Sequence, residues 1–310
     1  MSSAAAQFFT RRPVVFACAT LACLLWGSAF PSIKSGYALM HIRSGDIPGK
    51  LLFAGYRFFF AGLVLLAFCG FSGRNLRLRS LRQIGDVCLL GLLQTTIEYV
   101  FFYVGLAYTT GVKASIMNAT GTFFSVLMAH FIYHNDRLTA PRVTGCLLGF
   151  AGVMAVNLSP DLLDFHFSLA GEGCIVLAAL SLSVGGIFGK KISQGMDSIT
   201  LTGYQLAFGG AVLLAAGWLM GGRLEAFTPA SGGLMAYMVL LSAVAFALWT
   251  ILLKYNRVGV ISVFNFLIPI FGAVLSALFL GEAIFEWKNL IALVLVCGGI
   301  WLVTKEPKSA

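Results

Sequence analysis

Residues 259–285, GVISVFNFLIPIFGAVLSALFLGEAIF, hold about 20 apolar or small residues around one proline and close on Leu280-Gly281-Glu282. An uncharged run of that length fits a bilayer-spanning helix rather than a soluble core helix. Similar runs recur along the chain, separated by short breaks rich in Gly, Ser, Pro and charge. They predict ten helices: Val14–Lys34, Leu51–Gly70, Ile84–Tyr108, Val112–Tyr133 and Arg142–Leu158, then Leu169–Lys190, Ser198–Met220, Gly232–Lys254, Ser262–Leu280 and Trp287–Thr304. The longest connections, Ser35–Lys50 and Ser159–Phe167, are too short for a soluble domain.

The ninth helix has a twin. At an offset of 147, Asn265 falls on Asn118, Ser262 on Ser115, Phe271 on Phe124, Tyr255 on Tyr108 and Gly299 on Gly152. Residues 55–67 and 203–215 share eight of 13 identities, with Tyr56-Arg57-Phe58 over Tyr204-Gln205-Leu206. Residues 1–158 therefore form one five-helix unit and 159–310 a second. Five is odd, so the second copy enters the membrane inverted. The predicted fold is an all-α integral membrane protein of ten transmembrane helices in two inverted five-helix repeats, an arrangement typical of secondary transporters.

Composition agrees. The 310 residues are 59% apolar and 11% charged, far below the roughly 25% charge of soluble domains. The net charge of +9 does not imply nucleic acid, because the basic residues punctuate the apolar runs instead of clustering on one solvated face. With the amino terminus inside, 14 Lys and Arg fall on the cytoplasmic side and 6 outside, with Arg57 in a span. The bias places both termini in the cytoplasm of a multi-pass inner (plasma) membrane protein. Arg11-Arg12 and the long run from Val14 read as an uncleaved first span rather than a signal peptide. The seven cysteines lie in or beside apolar runs with no CxxC pair, as small hydrophobes do.

The chain resembles the drug/metabolite transporter superfamily, specifically its ten-helix EamA-type members. The resemblance rests on Trp26-Gly27-Ser28-Ala29-Phe30, Tyr56-Arg57-Phe58, and Pro269 with Leu280-Gly281-Glu282. In the first copy, Thr122 replaces the proline and Tyr133-His134-Asn135 replaces Leu-Gly-Glu. The resemblance implies export or exchange of amino acids, other metabolites or drugs, through a cavity lined by helices 1, 3, 4, 6, 8 and 9.

Glu98 is the strongest chemical candidate. It lies about 14 residues, or ~21 Å, into the third helix. Regular helix geometry would put it on one face with Gly91, Gln94, Thr95 and Phe102. An intramembrane carboxylate is a functional-site hypothesis by default, here either a proton-coupling group or a counter-ion for an amine. The competing reading is a static ion pair of Glu98 with Arg57. Asn118 and Asn265, with Thr122 nearby, either bind substrate across the pseudo-symmetry axis or hold helices together. Trp26, Phe30, Tyr99, Tyr103 and Trp249 suit an aromatic lining, but each also suits packing.

His130 and His134 share a helix face without an evident third ligand beyond Asp136. No metal and no cofactor is expected, and no GxxxxGK[ST] loop suggests ATP. The leading function is a secondary active transporter, an exporter of a small amphipathic metabolite such as an amino acid, by alternating access around a midplane cavity. The alternatives are a proton-coupled cation or drug exporter and an integral-membrane enzyme on lipid-soluble substrates. Expected partners are a small-molecule substrate and the lipid bilayer, with no nucleic acid; a homodimer is left open.

Overall fold

The computed structural model describes residues 3–158, 167–224, 227–280 and 287–305. Gly281 and Glu282 lie outside the described residues. After a short leading helix, Ser3–Phe9, come ten long ones. They are α1 (Arg12–Leu39), α2 (Ile47–Phe71), α3 (Leu81–Tyr108), α4 (Gly111–Ile132), α5 (Ala140–Val156), α6 (Leu169–Ser193), α7 (Ser198–Leu219), α8 (Pro229–Tyr255), α9 (Val258–Phe279) and α10 (Trp287–Lys305). All but α5 have the length and hydropathy to cross a bilayer. With 17 residues, α5 reaches about 25 Å, at the short end for a span. No strand occurs among the described residues.

Several helices begin a turn earlier than the apolar runs because polar side chains cap them. The carboxylate of Asp46 accepts from Gly49 N, the Ser80 hydroxyl from Gln83 N, and Thr228 forms a capping box with Ser231. Each satisfies an amide that would otherwise be orphaned. The expected Ser35–Lys50 loop is correspondingly shorter. Helix α1 runs on to Leu39 and α2 starts at Ile47, and the Tyr37 ring meets Phe53 at 5.4 Å.

Glycines set two close helix crossings. A methyl added at Gly62 would overlap the backbone of Ala207, and one at Gly210 the backbone of Phe59. Gly55 abuts Leu214 just as Gly203 abuts Leu66. Rising positions on α2 meet falling positions on α7, so these helices run antiparallel. The offset of 148 exchanges each contact with its mate. Gly145, Gly152 and Gly299 bring α5 and α10 together in the same antiparallel sense.

The helix pairing follows one rule. Helix α2 packs on α7 and α5 on α10, while α1 against α8 and α9 mirrors α6 against α3 and α4. Exchanging each helix with the one five places on leaves these pairings unchanged, as a pseudo-twofold axis in the membrane plane requires. Around the bundle, Phe60, Leu63, Phe68, Leu147, Leu240, Leu293 and Val294 are exposed. Apolar surface this continuous needs lipid rather than water against it.

Candidate functional site

The middle of α3 departs from the α-helix. Residues Leu92–Ile97 form a π-helical turn, and Glu98 is the first residue of the α-helix beyond it. The wider turn redirects the side chains on either side of it. Gly91, Thr95 and Thr96 therefore meet α7, and Gln94 packs on Gly185 of α6. Glu98 instead is buried next to Tyr99, whose ring packs on Phe58, the neighbour of Arg57 on α2, and on Tyr103 of its own helix. The single polar face expected of Gln94, Thr95 and Glu98 is thus split in two.

Arg57 and Glu98 are 1% and 6% exposed, in the interior of a membrane bundle. The Arg57 Nε–H donates to Ser242 Oγ of α8 at 2.6 Å, and its guanidinium lies 4.7 Å from the Phe58 ring centre. Glu98 Oε2 is buried with no hydrogen-bond partner. A desolvated carboxylate oxygen without a donor is costly, which suits a group that receives a proton or a ligand.

Aromatic rings enclose this cluster. Tyr99 packs on Phe58 at 4.5 Å, Phe58 on Phe246 at 5.9 Å, and Trp26 on Phe246 at 5.4 Å and Trp249 at 5.1 Å. On the side nearer the α1–α2 turn stand Tyr37, Phe53 and Tyr103, and the hydroxyls of both tyrosines are buried without partners. Six of the residues expected from sequence therefore converge: Trp26, Arg57, Glu98, Tyr99, Tyr103 and Trp249.

The others lie elsewhere. Gln94 borders a small gap with Thr202, Gln205 and Thr250. Thr122 Oγ1 donates to the Ser262 carbonyl of α9 at 3.4 Å, a helix-to-helix tie. Asn118 Oδ1 is buried without a partner, so it accepts no hydrogen bond from its repeat mate Asn265. Asn265 occupies a 3-10 turn, Val263–Phe266, just before Pro269. Proline has no N–H for the carbonyl four residues back and its ring crowds it, which accounts for the tightened turn. His130 Nδ1 accepts from Leu138 N and so closes the end of α4.

Ser242 and Gln205 join the site without a chemical signal of their own in the sequence. Gln205 is the repeat counterpart of Arg57, and its side-chain carbonyl accepts from Thr95 Oγ1 at 3.2 Å. Ser242 is in turn the counterpart of Thr95 at the offset of 147. The Arg57–Ser242 bond and the Gln205–Thr95 bond are thus pseudo-symmetry mates.

The large cavity, about 1400 Å³, opens at the end of the bundle where α1 begins and α10 ends. Phe16, Tyr133, Ile187, Lys190, Lys254 and Phe264 are among its walls, and none of the expected site residues lines it. Trp249 packs on the hydrophobic cluster beside this cavity, and Trp26 on the cluster around Phe58 and Tyr103. Their ring contact joins the two clusters.

An all-helical, lipid-faced bundle with a charged cluster sealed in its interior is a multi-pass membrane protein of the transporter class. The EamA-like transporter family matches residues 14–158 and 169–305. The chain belongs to the EamA-like transporter family, within the drug/metabolite transporter superfamily. It is 28% identical to the uncharacterized transporter YvbV of Bacillus subtilis, over 92% of this chain and 90% of that one. An uncharacterized transporter of Archaeoglobus fulgidus is 27% identical over 92% of this chain and 96% of its own. A WAT1-related chloroplastic protein of Arabidopsis thaliana is 26% identical over 90% of this chain and 66% of its own. A solved crystal structure superposes with a TM-score of 0.79 at 20% identity, over 95% of this chain and 97% of that one, and so shares the fold. The protein is therefore a membrane transporter of a small-molecule substrate rather than an enzyme.

Proposed function

We propose that the protein is a secondary active transporter that exports a small amphipathic metabolite, such as an amino acid, by alternating access between two inverted halves, 1–158 and 159–310. The observation that carries this reading is the Arg57–Glu98 cluster, buried between α2, α3 and α8 behind aromatic rings. A buried carboxylate and a buried guanidinium in one region of the bundle match the two charges of an amino acid, and Phe58, Tyr99, Trp26 and Phe246 offer apolar surface to its side chain. The cavity at the terminal end is walled in part by Val15, Ile187 and Phe264 of the hydrophobic cluster on which Trp249 packs, and Trp249 in turn meets Trp26.

The positive-inside bias supports both termini in the cytoplasm of the inner membrane, which would make the cavity the loading side for export. Each chain carries a whole site, so a homodimer would hold two. A second reading is favoured by the unpartnered Glu98 Oε2: a proton-coupled exporter of a cation or drug, in which Glu98 alternates between proton and amine. Proteoliposome uptake across amino acids, amines and dipeptides, with and without a pH gradient, separates the two. Saturable transport of zwitterions supports the first, and transport of amines alone replaces it with the second. No transport of any of these compounds counts against both.

A further inference from the structure

We propose that the cavity at the terminal end is an anion-recruiting vestibule, which binds amphipathic molecules carrying a carboxylate or phosphate on an apolar body. The walls hold six cations, Arg12, Lys190, Lys191, Lys254, Arg257 and Lys305, and no carboxylate among the described lining residues. The positive-inside rule accounts for basic residues at this end but not for the absence of acidic ones from the concave surface. Acidic residues are present nearby. Asp136 pairs with Arg142 and Asp197 with Arg74, each at 2.7 Å, and neither arginine lines the cavity.

The chain thus directs these two carboxylates to cations outside the cavity. Inside it, Lys190 Nζ donates to the carbonyls of Leu253 and Asn256, and Lys254 Nζ to that of Met196. Carbonyls position an ammonium without cancelling its charge. With six cations and no carboxylate among the described lining residues, the cavity surface is net positive. Low-dielectric walls focus such a field and raise the local concentration of anions. Phe16, Phe188 and Trp301 interleave with the cations, so an anion bearing an apolar body gains contacts that chloride does not.

The inference deepens the proposed function by naming the charge of what loads from this side, yet it is a statement about binding and is tested without transport. The experiment uses the full chain in nanodiscs of neutral phosphatidylcholine. Binding of 1-naphthoate is compared with that of 1-naphthylmethylamine and 1-naphthalenemethanol, which share its ring system. The vestibule predicts that the carboxylate binds at least tenfold more tightly than either analogue, and that the preference fades as salt rises from about 0.05 to 0.5 M. A triple variant, Arg12→Gln, Lys191→Gln and Lys305→Gln, should weaken 1-naphthoate binding about tenfold or more and leave 1-naphthalenemethanol unchanged.

Equal binding of the three compounds, or a salt-insensitive preference for the carboxylate in the unaltered chain, would overturn the proposal even if the variant fails to fold. A second set of nanodiscs containing phosphatidylglycerol identifies the source of the anion. Displacement of 1-naphthoate there assigns the site to a lipid headgroup, and undiminished binding assigns it to a soluble anion; either upholds the vestibule. Binding as predicted without transport of any compound would retain the vestibule and reject the transport reading.

Discussion

Arg57 of α2 donates its Nε–H to Ser242 of α8 at 2.6 Å, and the repeat carries this bond onto Gln205 of α7 and Thr95 of α3 at 3.2 Å. Only the first copy is charged. Glu98 corresponds to Ala245, just as Arg57 corresponds to Gln205. The two halves share a scaffold, and the ionic chemistry was placed in one of them.

This asymmetry has a stability consequence. Ser242→Ala removes the partner of a buried charged donor, whereas Thr95→Val removes one bond between neutral groups. An unsatisfied buried donor costs about 1–3 kcal/mol, more for a charged group, while a neutral bond contributes about 0.5–1.5 kcal/mol. Thermal melting in detergent should therefore place Ser242→Ala below Thr95→Val. The opposite order would mean that Arg57 finds another partner.

The glycine crossing offers a symmetry test. Gly62→Val and Gly210→Val each force a side chain into the α2–α7 backbone contact, at positions the repeat relates. Overpacking of this kind costs about 1–3 kcal/mol. The two variants should lose similar stability, while Gly233→Val, at an open position, should lose little. A large difference between the first two would break the equivalence of the halves.

Asp136 and Arg142 form a buried ion pair at 2.7 Å, and the other carboxylate oxygen of Asp136 accepts from Gly259 N at 3.0 Å. The pair ties the α4–α5 turn to the start of α9. Asp136→Asn leaves a buried guanidinium without its counter-charge, a loss of about 3–5 kcal/mol. Melting of the variant checks this, and a loss below about 1 kcal/mol would assign Arg142 another adequate acceptor.

The inverted arrangement is open to cysteine labelling. Probes at Ser72 and Lys191 should react from one side of the membrane and those at Asp46 and Arg223 from the other. In the orientation proposed above, the first side is the cytoplasmic one. Reaction of Asp46 and Arg223 from opposite sides would contradict the antiparallel packing of α2 on α7.

Much of this was legible in the sequence, for physical reasons. Apolar runs longer than a soluble helix have one home, and Gly55, Gly62, Gly203 and Gly210 showed the repeat because close crossings leave them no substitute. The helix ends were harder, since Asp46, Ser80 and Thr228 extend helices with polar caps that resemble loop. The π turn at Leu92–Ile97 was hidden, because nothing in LLQTTI distinguishes it from a regular helix. That turn separates Gln94 from Glu98. The cavity was also hidden, because side chains from the ends of six helices compose it and no single segment carries its pattern.

Glu98 is where the account is most exposed. In proteoliposomes loaded with a transported substrate, Glu98→Gln keeps the shape of the side chain and removes its proton exchange. If Glu98 couples substrate to protons, pH-gradient-driven transport should vanish, while substrate counterflow, which needs no net proton movement, should partly survive. A static ion pair predicts instead a loss of thermal stability that Arg57→Gln restores in the double variant. The decisive measurement is the pH-gradient-driven rate of Glu98→Gln: abolition with residual counterflow is the predicted result, and a rate equal to that of the unaltered protein would contradict it.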